Sequence, residues 1–169
     1  MSPVRALFAA GSVIVMFLGV LVACSEADDD TNPESPPALV ISEAAMALPA
    51  GANTAVYLTI VNEGMGEDRL IGASTPLSDR VELHETRAGD DGLMRMQRVD
   101  AVEIPAGETV RLEPGGLHVM VFDVDEVSEG AEVEVTLVFQ RSGDVVVEIP
   151  VRSYDELIEG DADQDHDHD

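Results

Sequence analysis

From Ala38 to Tyr154, apolar residues recur at about every second position in short runs rich in Val, Ile, Leu and Thr. That period places alternate side chains on opposite faces of an extended strand. It predicts strands near 38–44, 54–62, 68–74, 80–86, 93–98, 108–112, 117–123, 131–140 and 144–151. The segments between them carry turn chemistry: Asn62-Glu-Gly64, Gly89-Asp-Asp-Gly92, Pro105-Ala-Gly107, Pro114-Gly-Gly116 and Ser142-Gly143. Asn, Asp, Gly and Pro tolerate or preset the backbone angles that tight turns require. No helical period longer than about two turns interrupts the pattern. Many short strands at this spacing predict an all-β fold, an antiparallel β-sandwich or barrel. With no Trp, two Tyr and four Phe in the whole chain, its core must be aliphatic.

Both ends break the pattern. Arg5 precedes an uncharged apolar run from Ala6 to Ala23 whose only polar side chain is Ser12, which reads as a secretion signal over residues 1–23. The run ends in Leu21-Val22-Ala23-Cys24. This resembles the bacterial lipobox, where cleavage precedes a cysteine that receives a diacylglycerol. Cys24 is therefore the expected lipidation site, with the chain exported and held by lipid outside the cytoplasmic membrane, in the periplasm or at the cell surface. An uncleaved transmembrane anchor is the other use of such a run. Residues 24–37 are acidic, Pro-containing and nearly free of apolar side chains, so burial cannot offset their ordering entropy, and a disordered tether is expected. Residues 155–169 form an acidic tail with His166 and His168, expected to be without structure at least from Gly160. One folded domain, residues 38–154, remains between them.

Charge and cysteine count narrow the chemistry. Asp and Glu number 34 against nine Arg and no Lys, a net charge of −25. That excludes nucleic acid as a natural partner and suits a soluble monomer. Cys24 is the only cysteine, so a metal site in the domain has to come from His, Met and carboxylates. No nucleophile with a base, acid–base pair or phosphate loop stands out, and no enzyme activity is expected.

The domain holds two histidines, His84 and His118. In the strand around Leu117-His-Val-Met-Val-Phe122, Leu117, Val119 and Val121 take the core face, so His118 and Met120 point away from it together. His84 shares its face with Glu82 and Thr86, opposite Val81 and Leu83, while Met94 and Met96 share a face with Arg98. Thioether plus imidazole is a ligand set for Cu(I). Zinc would prefer thiolate, imidazole or carboxylate, and Ca or Mg would prefer oxygen. Methionine also suits an oxidising compartment, where paired cysteines risk forming a disulfide.

These residues resemble the periplasmic copper chaperones of the PCuAC type, whose pattern is a histidine, a methionine twelve residues on, twenty-one intervening residues, then His-x-Met. His84, Met96, His118 and Met120 fit each interval. Tyr57-Leu-Thr-Ile-Val-Asn62, Arg69-Leu-Ile-Gly-Ala-Ser74, Ile104-Pro-Ala-Gly107, Leu112-Glu-Pro-Gly-Gly116 and Thr136-Leu-Val-Phe139 are similar to the family's framework. Glu85 stands where many members carry a second methionine. The resemblance implies a cupredoxin-like Greek-key β-sandwich that binds Cu(I) through His84, Met96, His118 and Met120. It also implies transfer by ligand exchange to copper-accepting assembly proteins or a copper subunit of cytochrome oxidase. Met94 is an auxiliary candidate, and His166 and His168, interleaved with aspartates, suit Cu(II). Two alternatives stay open: a copper or zinc storage or resistance lipoprotein using the same site, and a structural or partner-binding sandwich without metal.

Overall fold

The computed structural model describes residues 35–89, 91–124 and 126–162. Ten strands follow one another as β1 (Leu39–Ala47), β2 (Thr54–Asn62), β3 (Asp68–Ser74), β4 (Arg80–Ala88), β5 (Met94–Arg98), β6 (Val102–Ile104), β7 (Thr109–Leu112), β8 (Leu117–Phe122), β9 (Glu132–Phe139) and β10 (Gly143–Arg152), and a helix α1 (Tyr154–Ala162) closes the series. The hydrogen-bonded order is β5-β4-β8-β2-β1-β10-β9-β3-β6, with β7 also on β2. Every pairing is antiparallel except β1 with β10, which run parallel through Met46–Val151 and Ala47–Arg152. The connection from β2 to β3 crosses to the far end of this ladder, and β4 returns beside β8, as in a Greek-key sandwich.

The two halves of the ladder close on one core. Val56, Leu58, Ile60, Leu83, Val119 and Val121 from one half cluster with Leu70, Val135, Leu137, Phe139, Ile149 and Val151 from the other. These are the alternate positions of the sequence pattern, and the expected all-β sandwich with an aliphatic core is the one found.

Four local features depart from the expectation. First, β1 runs past Ala44 to Ala47 because a bulge between Ser42 and Ala45 shifts its register. Glu43 there has φ 53°, and the extra residue breaks the two-residue period that sequence reading relies on. Second, β6 was not expected. Its three residues Val102-Glu-Ile104 are too few to show a period, yet Val102 and Ile104 are buried. Third, the region from Tyr154 is helical as far as Ala162, so the expectation of no structure from Gly160 fails for residues 160–162. Ser153 opens the helix by accepting from the backbone N–H of Glu156 at 3.4 Å, and Asp155 and Glu156 lie in the first turn, where the helix dipole favours acids.

The fourth departure is at the other end, where the chain already lies against the domain at Ser35, ahead of Ala38. The Ser35 carbonyl accepts from Arg141 Nη2 at 2.6 Å. Buried Asn62 accepts from the N–H groups of Ala38 and Gly64 at 3.2 and 3.0 Å, and donates to the carbonyl of Gly66 at 2.8 Å. A Cβ at Gly64 would stand 2.5 Å from the Ala38 nitrogen and 2.6 Å from the Pro36 carbonyl oxygen, so only glycine lets this segment lie so close. Residues 1–34 and 163–169, with the expected signal, Cys24, His166 and His168, fall outside the described residues. Among the described residues no helix is long and apolar enough to cross a membrane.

Candidate metal centre

Strands β5, β4, β8 and β2 lie side by side, and on the face turned from the core their register brings the candidate residues together. His84 pairs directly with His118, Glu82 with Met120 and Arg80 with Phe122. On the other flank of β4, Arg98 pairs with His84, Met96 with Thr86 and Met94 with Ala88. His84 and His118 are thus cross-strand neighbours, with ring centroids 6.0 Å apart. Met120 is one same-face position along β8 from His118, and Met96 is diagonal to His84 across β5. Diagonal neighbours stand about 7–8 Å apart, within reach of long side chains. Met94 is a further step away along β5.

Burial divides these residues. His118 is 3 % exposed, Met120 is half-buried and Met96 is 53 % exposed. The expectation that His118 lies at a plainly non-core position needs correcting: it does point away from the aliphatic core, but the neighbouring rings enclose it. Tyr57 on β2 lies 6.3 Å away on one side and His84 on the other. Phe122 packs 5.7 Å from His84.

Hydrogen bonds assign a tautomer to each ring. His118 Nδ1 is 3.1 Å from the Gly116 carbonyl. A carbonyl only accepts, so Nδ1 carries the proton and Nε2 keeps its lone pair. Gly115, with φ 83°, makes the tight turn that carries this carbonyl. His84 Nε2 is 2.9 Å from Glu82 Oε2. The hydrogen bond from His84 holds the Glu82 carboxyl below its usual range, with Arg80 adding to the effect, so it accepts and Nδ1 of His84 keeps the lone pair. The two remaining nitrogens, His84 Nδ1 and His118 Nε2, are buried with no hydrogen-bond partner. A buried acceptor left unmet costs about 1–3 kcal/mol. Burial, aided by nearby His84, pushes the His118 pKa below its ordinary value against the opposing Gly116 hydrogen bond. The ring is therefore neutral at neutral pH, as a metal ligand must be.

Two adjacent imidazole lone pairs flanked by thioethers fit a soft, low-charge ion. Among the described residues no three His, Cys, Asp or Glu side chains group as a metal site; the thioethers of Met96 and Met120 are the soft donors on the same sheet face. Glu82, Tyr57 and Phe122 are parts of the site to which sequence reading gave no role. The signal available for Glu82 was its position two residues before His84 on the same strand face; nothing in the sequence marked Tyr57 as a neighbour of His118.

Comparison with known proteins gives concordant relatives. The family described as "Putative lipoprotein LpqE-like" matches residues 38–151. "Putative lipoprotein Lxx21020" of Leifsonia xyli subsp. xyli is 27 % identical over 158 residues, 91 % of this chain and 95 % of the relative. Among solved structures, the copper-bound PCuAC domain from PmoF2 superposes with a TM-score of 0.58 at 27 % identity, covering 68 % of this chain and 92 % of that domain. The Cu(I) form of DR1885 from Deinococcus radiodurans gives a TM-score of 0.55 at 28 % identity, covering 78 % and 87 %.

Proposed function

The chain belongs to the LpqE-like lipoprotein family, and from that premise, with copper-bound PCuAC domains as structural relatives, we propose that it is an extracytoplasmic Cu(I) chaperone. His84 Nδ1, His118 Nε2 and the sulfurs of Met96 and Met120 are its ligands, and Cys24 its lipid anchor. The supporting observation is the pair of buried, unpartnered lone pairs on adjacent strands. One ion bound between them would relieve both unmet acceptors, and thioethers direct the choice toward Cu(I). The acceptor is a copper-binding assembly protein or an oxidase copper subunit, and the acidic His166 and His168 tail is an auxiliary ligand set for Cu(II).

A carrier rather than a store is favoured by the exposure of Met96, 53 % against 3 % for His118. An incoming sulfur or nitrogen ligand can displace an exposed, neutral thioether without opening the fold. The test is chelator competition for Cu(I) under reducing conditions, on wild type, His118→Ala and Met120→Leu, with thermal melts of the copper-free forms. Affinity should drop at least tenfold in both variants while the Met120→Leu melt changes little. Affinity should also weaken as pH falls through the lowered pKa of His118, below the ordinary histidine value near ~6.5, as protons compete for the imidazole. Wild-type affinity in both variants would leave the site without its ligands.

A further inference from the structure

The two histidines present different nitrogens to the site, Nδ1 from one and Nε2 from the other. For His118 the choice is made by a backbone carbonyl, which no side-chain substitution removes. For His84 it is made by a side chain. We propose that Glu82 is the positioning residue of His84: its carboxylate holds the ring by Nε2–H, fixing the tautomer and orientation that turn the Nδ1 lone pair into the site. The proposal deepens the Cu(I) reading above and rests on it for its ligand.

The geometry shows a carboxylate that is itself held in place. Glu82 lies two residues before His84 on the same face of β4, with Oε2 2.9 Å from Nε2. Its second oxygen, Oε1, is 3.3 Å from Arg80 Nε. The Arg80 guanidinium lies 3.9 Å over the Phe122 ring, and Phe122 is both the cross-strand partner of Arg80 and a ring neighbour of His84. The chain of contacts Phe122, Arg80, Glu82, His84 therefore closes on itself. A carboxylate gripped on both oxygens has little freedom to release the imidazole, and its side chain is 17 % exposed against 12 % for His84. Without it, Nε2–H would have no acceptor and the ring could turn or change tautomer to satisfy either nitrogen. The carboxylate also makes Nδ1 a stronger donor and offsets the positive charge that Cu(I) brings. Outer partners of ligating histidines commonly contribute about 10- to 100-fold in metal affinity.

The experiment uses the full chain in detergent, 15N-labelled, as wild type, Glu82→Leu and Glu82→Gln. Imidazole 15N shifts and their couplings to the ring protons identify the tautomer of each histidine without metal, and chelator competition then reads Cu(I) affinity. In wild type His84 should be the Nε2–H form. In Glu82→Leu the Nδ1–H form of His84 should become populated, His118 should stay Nδ1–H as an internal control, and affinity should fall about 10- to 100-fold. Glu82→Gln keeps an acceptor oxygen without the charge, so it should restore the wild-type tautomer and part of the affinity. A His84 that keeps its tautomer and orientation in Glu82→Leu overturns the proposal, as does unchanged affinity beside a scrambled tautomer. If the leucine variant unfolds, the glutamine variant decides: a changed tautomer with full affinity there is equally fatal. Failure of wild type to bind Cu(I) would instead sink the metal reading, recognisably so because the tautomers are read without copper.

Discussion

Met46 is fully buried in the core and Met96 is mostly exposed on an edge strand, so the two thioethers should respond to substitution in opposite ways. Met46→Ala removes packed atoms and should cost about 2–5 kcal/mol of stability, leaving the copper affinity of the folded fraction unchanged. Met96→Leu nearly conserves volume and should cost under about 1.5 kcal/mol, yet lose copper affinity; denaturant melts beside Cu(I) competition would separate the pair. Asp68 supplies a pH prediction. Burial alone would raise its pKa, but hydrogen bonds from the Ser142 side chain and the backbone N–H groups of Arg69, Arg141 and Ser142 outweigh it and lower the value. A depressed folded-state pKa means that the unfolded chain binds the proton first, so this contribution is present above the unfolded value near ~3.9 and is lost as pH falls through the folded one. Asp68→Asn should remove that part of the acid sensitivity, making the melting temperature of the variant less dependent on pH below ~4; an unchanged pH profile would rule it out. That His118 and Met120 share the strand face turned from the aliphatic core was legible from alternation. The burial of His118 was not, because the rings on either side of it, Tyr57 and His84, reach it from β2 and β4.

At the scale of elements, the register of β5 decides which of its methionines lies nearer His84. All five of its residues are exposed, and its register sets Met96 opposite Thr86 and Met94 opposite Ala88. Successive same-face positions are about 6–7 Å apart along a strand, which puts Met94 one step farther from His84 than Met96. Met94→Leu should therefore leave Cu(I) affinity within about twofold in the native background, measured by the same competition; a larger loss would assign Met94 a ligand role. Strand positions were read well wherever alternation ran for five residues or more, as in β2, β9 and β10. They were missed where it could not: β6 has three residues, and the last part of β1 follows a bulge that reverses which side chains face inward. The helix α1 carries few apolar residues, so its sequence looks like a tail, and what marks it is the local pairing of Ser153 with Glu156.

At the scale of the whole molecule, the proposed anchor is directly testable. Replacing Cys24 by Ala should move the protein from the membrane to the soluble fraction or leave its precursor uncleaved, followed by fractionation and intact mass. Recovery of a processed form with membranes would refute lipidation at Cys24. The seat formed by Asn62, Gly64 and Gly66 fixes where the segment from Ser35 to Ala38 meets the domain. Along β1, Leu39 pairs with Asn62 at one end and Ala45 with Tyr57 toward the other, and Tyr57 is the ring that meets His118. Five residues of β2 separate the two levels, about 17 Å at strand rise. A bilayer holding the proposed lipid would thus grip the sandwich by the pole remote from the histidines, and the eleven residue steps from Cys24 to Ser35 span at most about 40 Å. With Cys24 lipidated as proposed, the chain would be moored at the Ser35 end of the sandwich, like a buoy held by its lower ring, which leaves the end carrying His118 the farther of the two from the point of attachment.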